Sequence, residues 1–239
     1  MKVMLRMLTT MVAIVLIGST VRVCAGDTRD TEEKRLRNSG RVLSEIMNMP
    51  DNIPRDLLDR SRCVVVIPSV LKAAFGVGGS YGRGAMVCRT GPDFKGSWGA
   101  PLMMVLEGGS FGFQIGGQAT DFVLLIMNDR GAHSLLHSKV KLGADATAAA
   151  GPVGRAAEAD TDAYMRAEIL TYSRARGLFA GISLEGSTLH PDNEGNEALY
   201  GRGLTPENIV FRHSTTTPAA AGQLVSLLQN ASPQERAER

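Results

Sequence analysis

Aromatic side chains are scarce in this chain, at 5% with a single tryptophan. Long apolar runs are missing as well. The first, Met11 to Gly18, and the longest later one, Phe122 to Met127, both fall well short of the roughly 20 residues a membrane span needs. The motifs of common chemistry are also absent. The glycine run from Gly76 to Gly84 contains no G-x-G-x-x-G, because Tyr81 stands where the last glycine would be, and no G-K-[ST] follows it. A nucleotide cradle is therefore excluded there. No G-x-S-x-G elbow occurs; Gly181-Ile182-Ser183-Leu184-Glu185 lacks the second glycine, so nucleophilic acyl chemistry has no anchor. His133 and His137 share a helical face without the glutamate or third ligand of a metalloprotease. The reading is of a protein that is not an enzyme and carries no cofactor.

Strong charge of one sign is lacking too. The formal net charge of +2 includes Lys2, Arg6 and Arg22, so a chain beginning at Gly26 carries +2 less three cations, or −1. Nucleic acid is thus not an expected partner, and any pull on an anionic surface must come from local clustering.

What is present begins with a leader. Lys2 and Arg6 precede the apolar Met11 to Gly18, and Val23-Cys24-Ala25 precedes a cleavage point before Gly26. Residues 1–25 read as a signal peptide, which makes the protein exported, to the periplasm or envelope. Lipoprotein anchoring through Cys24 is the less favoured alternative, since Arg22 and Val23 stand where small residues are expected. Two further cysteines, Cys63 and Cys88, flank a hairpin-like segment. They read as a disulfide in an oxidising compartment, against the alternative of two buried thiols.

The expected domain comprises an N-terminal helical segment (26–62), a core (63–230) and a flexible tail (231–239). A helix from about Thr28 to Met49 carries Leu36, Leu43, Ile46 and Met47 on one side with Val42 beside them. A second helix follows Pro54, and the run from Cys63 to Ile67 is a strand stopped by Pro68. Glycines crowd the segments 74–84 and 108–117, which predicts bulged, sharply curved strands. The fold class is α+β: a strongly curved, Gly-rich antiparallel sheet or partly closed barrel, packed with an N-terminal amphipathic helix and a C-terminal helix. Thr217 is expected to cap that last helix. The small-residue run from Gly143 to Gly154 reads as tight packing against the sheet. Glu107, Asp121, Asp145 and Glu185 read as carboxylates that accept backbone N–H groups at turns.

The stretch from Tyr172 to Gly201 reads as strand, Glu185-Gly186 turn, and a short helix closed by Gly201. Together with Cys63 to Pro68, Phe75 to Gly84, Trp98 to Pro101, Gly109 to Gly117, Asp121 to Met127, Leu142 to Asp145 and Ala150 to Arg155, it resembles the SYLF-domain family. That resemblance implies a lipid-binding module with no catalytic residues to carry over. Its eukaryotic members are associated with phosphoinositide membranes and actin. The export signal, and the lack of room for an SH3 domain, argue against actin and turn the expectation toward anionic phospholipid of a bacterial envelope. The expected contacts are Lys34, Arg35, Arg37 and Arg41 on headgroup phosphates, with the stripe of Leu36, Leu43 and Met47 entering the lipid. Two alternatives stay open. In one the helix packs on the sheet with a solvated charged face; in the other the Gly-rich sheet presents an edge to an envelope protein.

Overall fold

The computed structural model describes residues 25–75, 77–91, 93–111, 118–153, 166–175, 177–211 and 215–233. The leader reading of residues 1–24 lies outside them. The first helix, α1 (Ala25–Met47), and the short α2 (Arg55–Arg60) lead into β1 (Cys63–Phe75), β2 (Val77–Cys88), β3 (Leu102–Phe111) and β4 (Gln118–Ile126). Then follow α3 (Asp129–His137), β5 (Val140–Lys141), β6 (Ala148–Ala150), β7 (Ile169–Ala175), β8 (Leu178–Gly181) and β9 (Ser187–Pro191). The chain closes with α4 (Asn193–Tyr200), α5 (Pro206–Phe211), a 3-10 turn (Ala219–Ala221) and α6 (Gly222–Ala231).

All nine described strands join one strongly curled, half-barrel sheet in the order β5-β9-β3-β2-β1-β4-β7-β6, with β8 beside β7. Every pairing is antiparallel except β6 with β7. The fold class read from the sequence is the one observed. Because strand side chains alternate, the unbroken run Val64-Val65-Val66-Ile67 requires cover on both faces. Cys63, Val65 and Ile67 pack with Leu135 and Leu136 of α3 and with Val210 of α5. Val64 and Val66 pack with Leu36 and Leu43 of α1 and with Leu224 and Leu228 of α6.

Pro68 does not stop β1. It sits in a bulge, where the register shifts against both β2 and β4, and the strand runs on to Phe75. A proline is tolerated there because the ladder is already interrupted. Ser69 takes a φ of 51°, and its N–H donates to Asp121 Oδ1 at 2.8 Å. Asp145 likewise accepts from the Lys141 N–H at 2.7 Å. Glu185 is instead exposed, its side chain lying over Gly143. Asn128 caps α3 by accepting from the Gly131 N–H at 2.8 Å. Thr217 does not cap the last helix: Pro218 precedes the 3-10 turn, and no side chain bonds there.

Cys63 and Cys88 stand directly opposite in the β1–β2 register and are bonded, both fully buried. Closing a 25-residue separation contributes about 3 kcal/mol. The 143–154 run packs tightly only at Ala146, Gly151 and Pro152; Gly143, Ala144, Asp145, Thr147 and Ala150 are exposed, which corrects the expectation of tight packing along its length. A Cβ on Gly151 would strike the Tyr172 ring, and one on Gly181 would overlap the Gly151 carbonyl. Tyr172 in turn stacks on Phe179 with ring centroids 5.4 Å apart. The stretch from Tyr172 to Gly201 is therefore a packing element first.

Candidate functional site

Turning α1 by its 3.6-residue period places Glu32, Leu36, Ser39, Gly40, Val42, Leu43 and Ile46 on its buried side. Leu36, Leu43 and Ile46 have no exposure at all. This corrects the expectation that Leu36 and Leu43 face lipid: the stripe is seated in the core, with Met47 half-buried at its end. Burying three such side chains stabilises the docked helix by about 5–9 kcal/mol before chain entropy. Releasing α1 into a bilayer would restore that burial for the stripe. It would not restore it for Val66, Ala85 and Val123 beneath. The helix packed on the sheet is the arrangement observed.

The cations divide into two groups. Lys34, Arg37 and Arg41 are exposed on the outer side of α1. Arg37 lies 3.6 Å from Glu33, and Arg41 bonds the Asn38 side chain at 2.9 Å. Among the described residues, no carboxylate lies within ion-pair reach of Lys34 or Arg41. Arg35 instead turns inward and pairs with Glu32.

Glu32 is 4% exposed, a carboxylate at the N-terminal end of the buried stripe. Such a charge is tolerated only with partners. It has Arg35, and Arg83 of β2 at 3.6 Å. Arg83 also pairs with Asp192, which caps α4 by accepting from the Gly195 N–H at 3.1 Å. Burial alone would lower the Arg83 pKa, but the hydrogen bond to Asp192 and the nearby carboxylates raise it above the ordinary arginine value. A parallel chain runs from Glu45 of α1 through Arg174 of β7 to Asp121, which holds the Ser69 bulge. Two ion-pair chains thus fasten the helix to the sheet, one at Glu32 and one at Glu45.

Between these fastenings lies an open cleft of about 230 Å³, lined by Arg35, Asn38, Pro68, Ser69, Leu71, Tyr81, Gly82 and Arg83. Its floor is the bulge and its walls are α1 and the β1–β2 ribbon. Sequence reasoning named Arg35 only as a headgroup contact and missed Arg83, Leu71 and Tyr81. An arginine between Gly82 and Gly84 was the available signal, since only a paired charge persists where small residues pack closely.

The other candidates take structural roles. His137 Nδ1 lies 2.8 Å from the His133 carbonyl, and its Nε2 lies 3.5 Å from Glu207. Among the described residues no three metal-ligating side chains cluster, and no helix is long and apolar enough to cross a membrane. Glu107 pairs with Lys139 and His190, each at 3.4 Å. Arg89 is buried over the Trp98 ring, with its centre 4.6 Å from the ring centroid. It donates to the carbonyls of Ser61 and Ser232 near the ends of α2 and α6, where helix dipoles favour a cation. The Gly-rich strand β2 is interior to the sheet, and β3 is bordered by β9 only from Met104 to Gly108; the outermost strands β5 and β6 are only 2 and 3 residues long.

The distinguishing surface of this curled α+β domain is an open, charge-flanked cleft of the kind binding proteins present. Comparison with known proteins narrows the class. The family model described as "Ysc84: Las17-binding protein actin regulator" matches residues 107–231. The human SH3 domain-containing YSC84-like protein 1 is 34% identical over 204 residues, covering 84% of this chain and 58% of that protein. Protein YSC84 of Saccharomyces cerevisiae is 31% identical over 190 residues, covering 78% of this chain and 40% of its own length. The chain belongs to the Ysc84 family of SYLF domains, a binding family and not an enzymatic one by its description. It spans about three-fifths or less of the length of these relatives.

Proposed function

We propose that this protein binds anionic phospholipid surfaces of a bacterial envelope, without catalysis, through the outward cations of α1 and the cleft beside them. The observation that carries this reading is the group of exposed Lys34, Arg37 and Arg41, two of them without a carboxylate partner, along the helix that walls the cleft. Each cation near an anionic surface contributes about 1 kcal/mol, so the three together add about 3 kcal/mol to a reversible, salt-sensitive association. The docked stripe takes no part. The leader-like first 25 residues and the buried disulfide favour an exported location.

Co-sedimentation with vesicles of phosphatidylglycerol and phosphatidylcholine, against phosphatidylcholine alone, tests the reading. Binding should require the anionic lipid, and the triple variant K34E/R37E/R41E should abolish it with the circular dichroism spectrum unchanged. Charge-blind binding, or a triple variant that still binds, would refute the mechanism. A second reading, a protein partner, is favoured by the family description, which names Las17 binding and actin regulation. It gains ground if no vesicle binds and one envelope protein is captured specifically by the chain and not by the triple variant.

A further inference from the structure

The cleft between α1 and the β1–β2 ribbon is one-sided in its chemistry. Arg35, Asn38, Ser69, Tyr81 and Arg83 bring hydrogen-bond donors to it, and Pro68, Leu71 and Gly82 complete the lining. Among the described residues that line it, none carries a carboxylate. Glu32 and Asp192, the acids that hold its arginines, are buried and absent from the lining. Their bonds take Nη1 of Arg35 and Nε and Nη2 of Arg83. A guanidinium carries a fork of five N–H groups, so each arginine is oriented and keeps donors for a ligand.

Asn38 is oriented as well. Arg41 donates to its Oδ1 at 2.9 Å, and an arginine can only donate, so the amide NH2 is the end left for the cleft. Ser69, in the floor, is held at a φ of 51° by the bond from its N–H to Asp121. That backbone conformation is uncommon for a residue with a side chain.

From this donor set we infer that the cleft seats a terminal phosphate group, a phosphate monoester, in preference to the phosphodiester of a common headgroup. Oxygen count separates the two. A terminal phosphate presents three acceptor oxygens and close to two negative charges at neutral pH, whereas a diester presents two free oxygens and one charge. At about two hydrogen bonds per oxygen, the diester accepts about four and the terminal phosphate about six. Five donor side chains, two of them forks suited to bidentate phosphate contact, fit the larger number. Such a group occurs on a lipid, as in phosphatidic acid, and on soluble glycerol or sugar phosphates. On a lipid the inference rests on the reading above and narrows its headgroup; on a soluble ester it stands without that reading.

The test gives the full chain probes of both kinds. Phosphatidylcholine vesicles carry either phosphatidic acid or phosphatidylglycerol, adjusted to equal surface potential. Co-sedimentation should be about tenfold tighter with phosphatidic acid. In calorimetry, glycerol 3-phosphate should bind and the diester glycerophosphoglycerol should not. Replacing Arg83 would strand two buried acids, so the variants keep a cation beside each. N38A/Y81F removes two donors, and R35K keeps the charge beside Glu32 but loses the fork. Each should lose the phosphatidic acid preference and keep its denaturation midpoint and its binding to phosphatidylglycerol. Equal binding to the two vesicles, with no binding of glycerol 3-phosphate, overturns the inference and leaves the lipid reading standing. Binding of glycerol 3-phosphate with no vesicle binding upholds the cleft, assigns it a soluble ester and ends the lipid reading. Binding to neither probe ends both. A phosphatidic acid preference that survives in both variants also overturns the inference.

Discussion

Strands β1 and β2 behave differently at their two ends. From Cys63 to Ile67 and from Gly84 to Cys88 the sheet is covered on both faces and every side chain is buried. At Leu71 and Tyr81 it exposes two large side chains. Glycine occurs at both ends for opposite reasons. A Cβ at Gly84 would overlap the Val66 carbonyl, whereas one at Gly79 would meet only the Gly108 oxygen at an ordinary 3.8 Å. Gly84 thus marks a close backbone approach in the body, whereas Gly79 in the ribbon does not. One composition thus serves a rigid anchor and a surface.

Breaking the covered end should have the largest effect. G84A is expected to cost about 3 kcal/mol or more, because the clash is with backbone that cannot rotate away. Urea denaturation should show a collapsed midpoint or no folded protein. The pair C63A/C88A should lose about 3 kcal/mol and unfold at lower urea; a midpoint equal to the wild type would mean the covered end needs no staple. R89L should cost about 2 kcal/mol by leaving the Ser61 and Ser232 carbonyls without their donor. At the ribbon, G79A and L71A should each move stability by no more than about 0.5 kcal/mol. A large loss from either would show that the ribbon is part of the core, and the contrast drawn here would disappear.

How much of this was legible in the sequence depends on whether the deciding interaction was local. The amphipathic period of α1 and the β-branched run at Cys63 to Ile67 are local, and each element appears where expected. The half-barrel character followed from glycine density. Strand β9 was not legible: Ser187-Thr188-Leu189-His190-Pro191 has one aliphatic residue, and it becomes a strand because β3 offers it an unfilled hydrogen-bonding edge. Pro68 misled for the same reason, since a bulge depends on both neighbouring strands. At the site, the cations of α1 were readable from spacing. The destination of the stripe between them was not, because an amphipathic helix looks alike whether a sheet or a lipid receives it. Arg83 and Asp192, more than a hundred residues apart, meet only through the fold.

The packing of α1 against α6 has a consequence in time. A Cβ at Gly40 would stand 3.1 Å from the Leu224 backbone nitrogen, so the first helix is seated partly on the last. During synthesis the stripe that ends at Met47 waits for Gly222 before its groove is complete. At the usual pace of elongation that wait lasts on the order of ten seconds or more. A chain with such a long-range closure stays unlocked until nearly all of it exists. Its final docking is therefore a late, cooperative event and not a stepwise one.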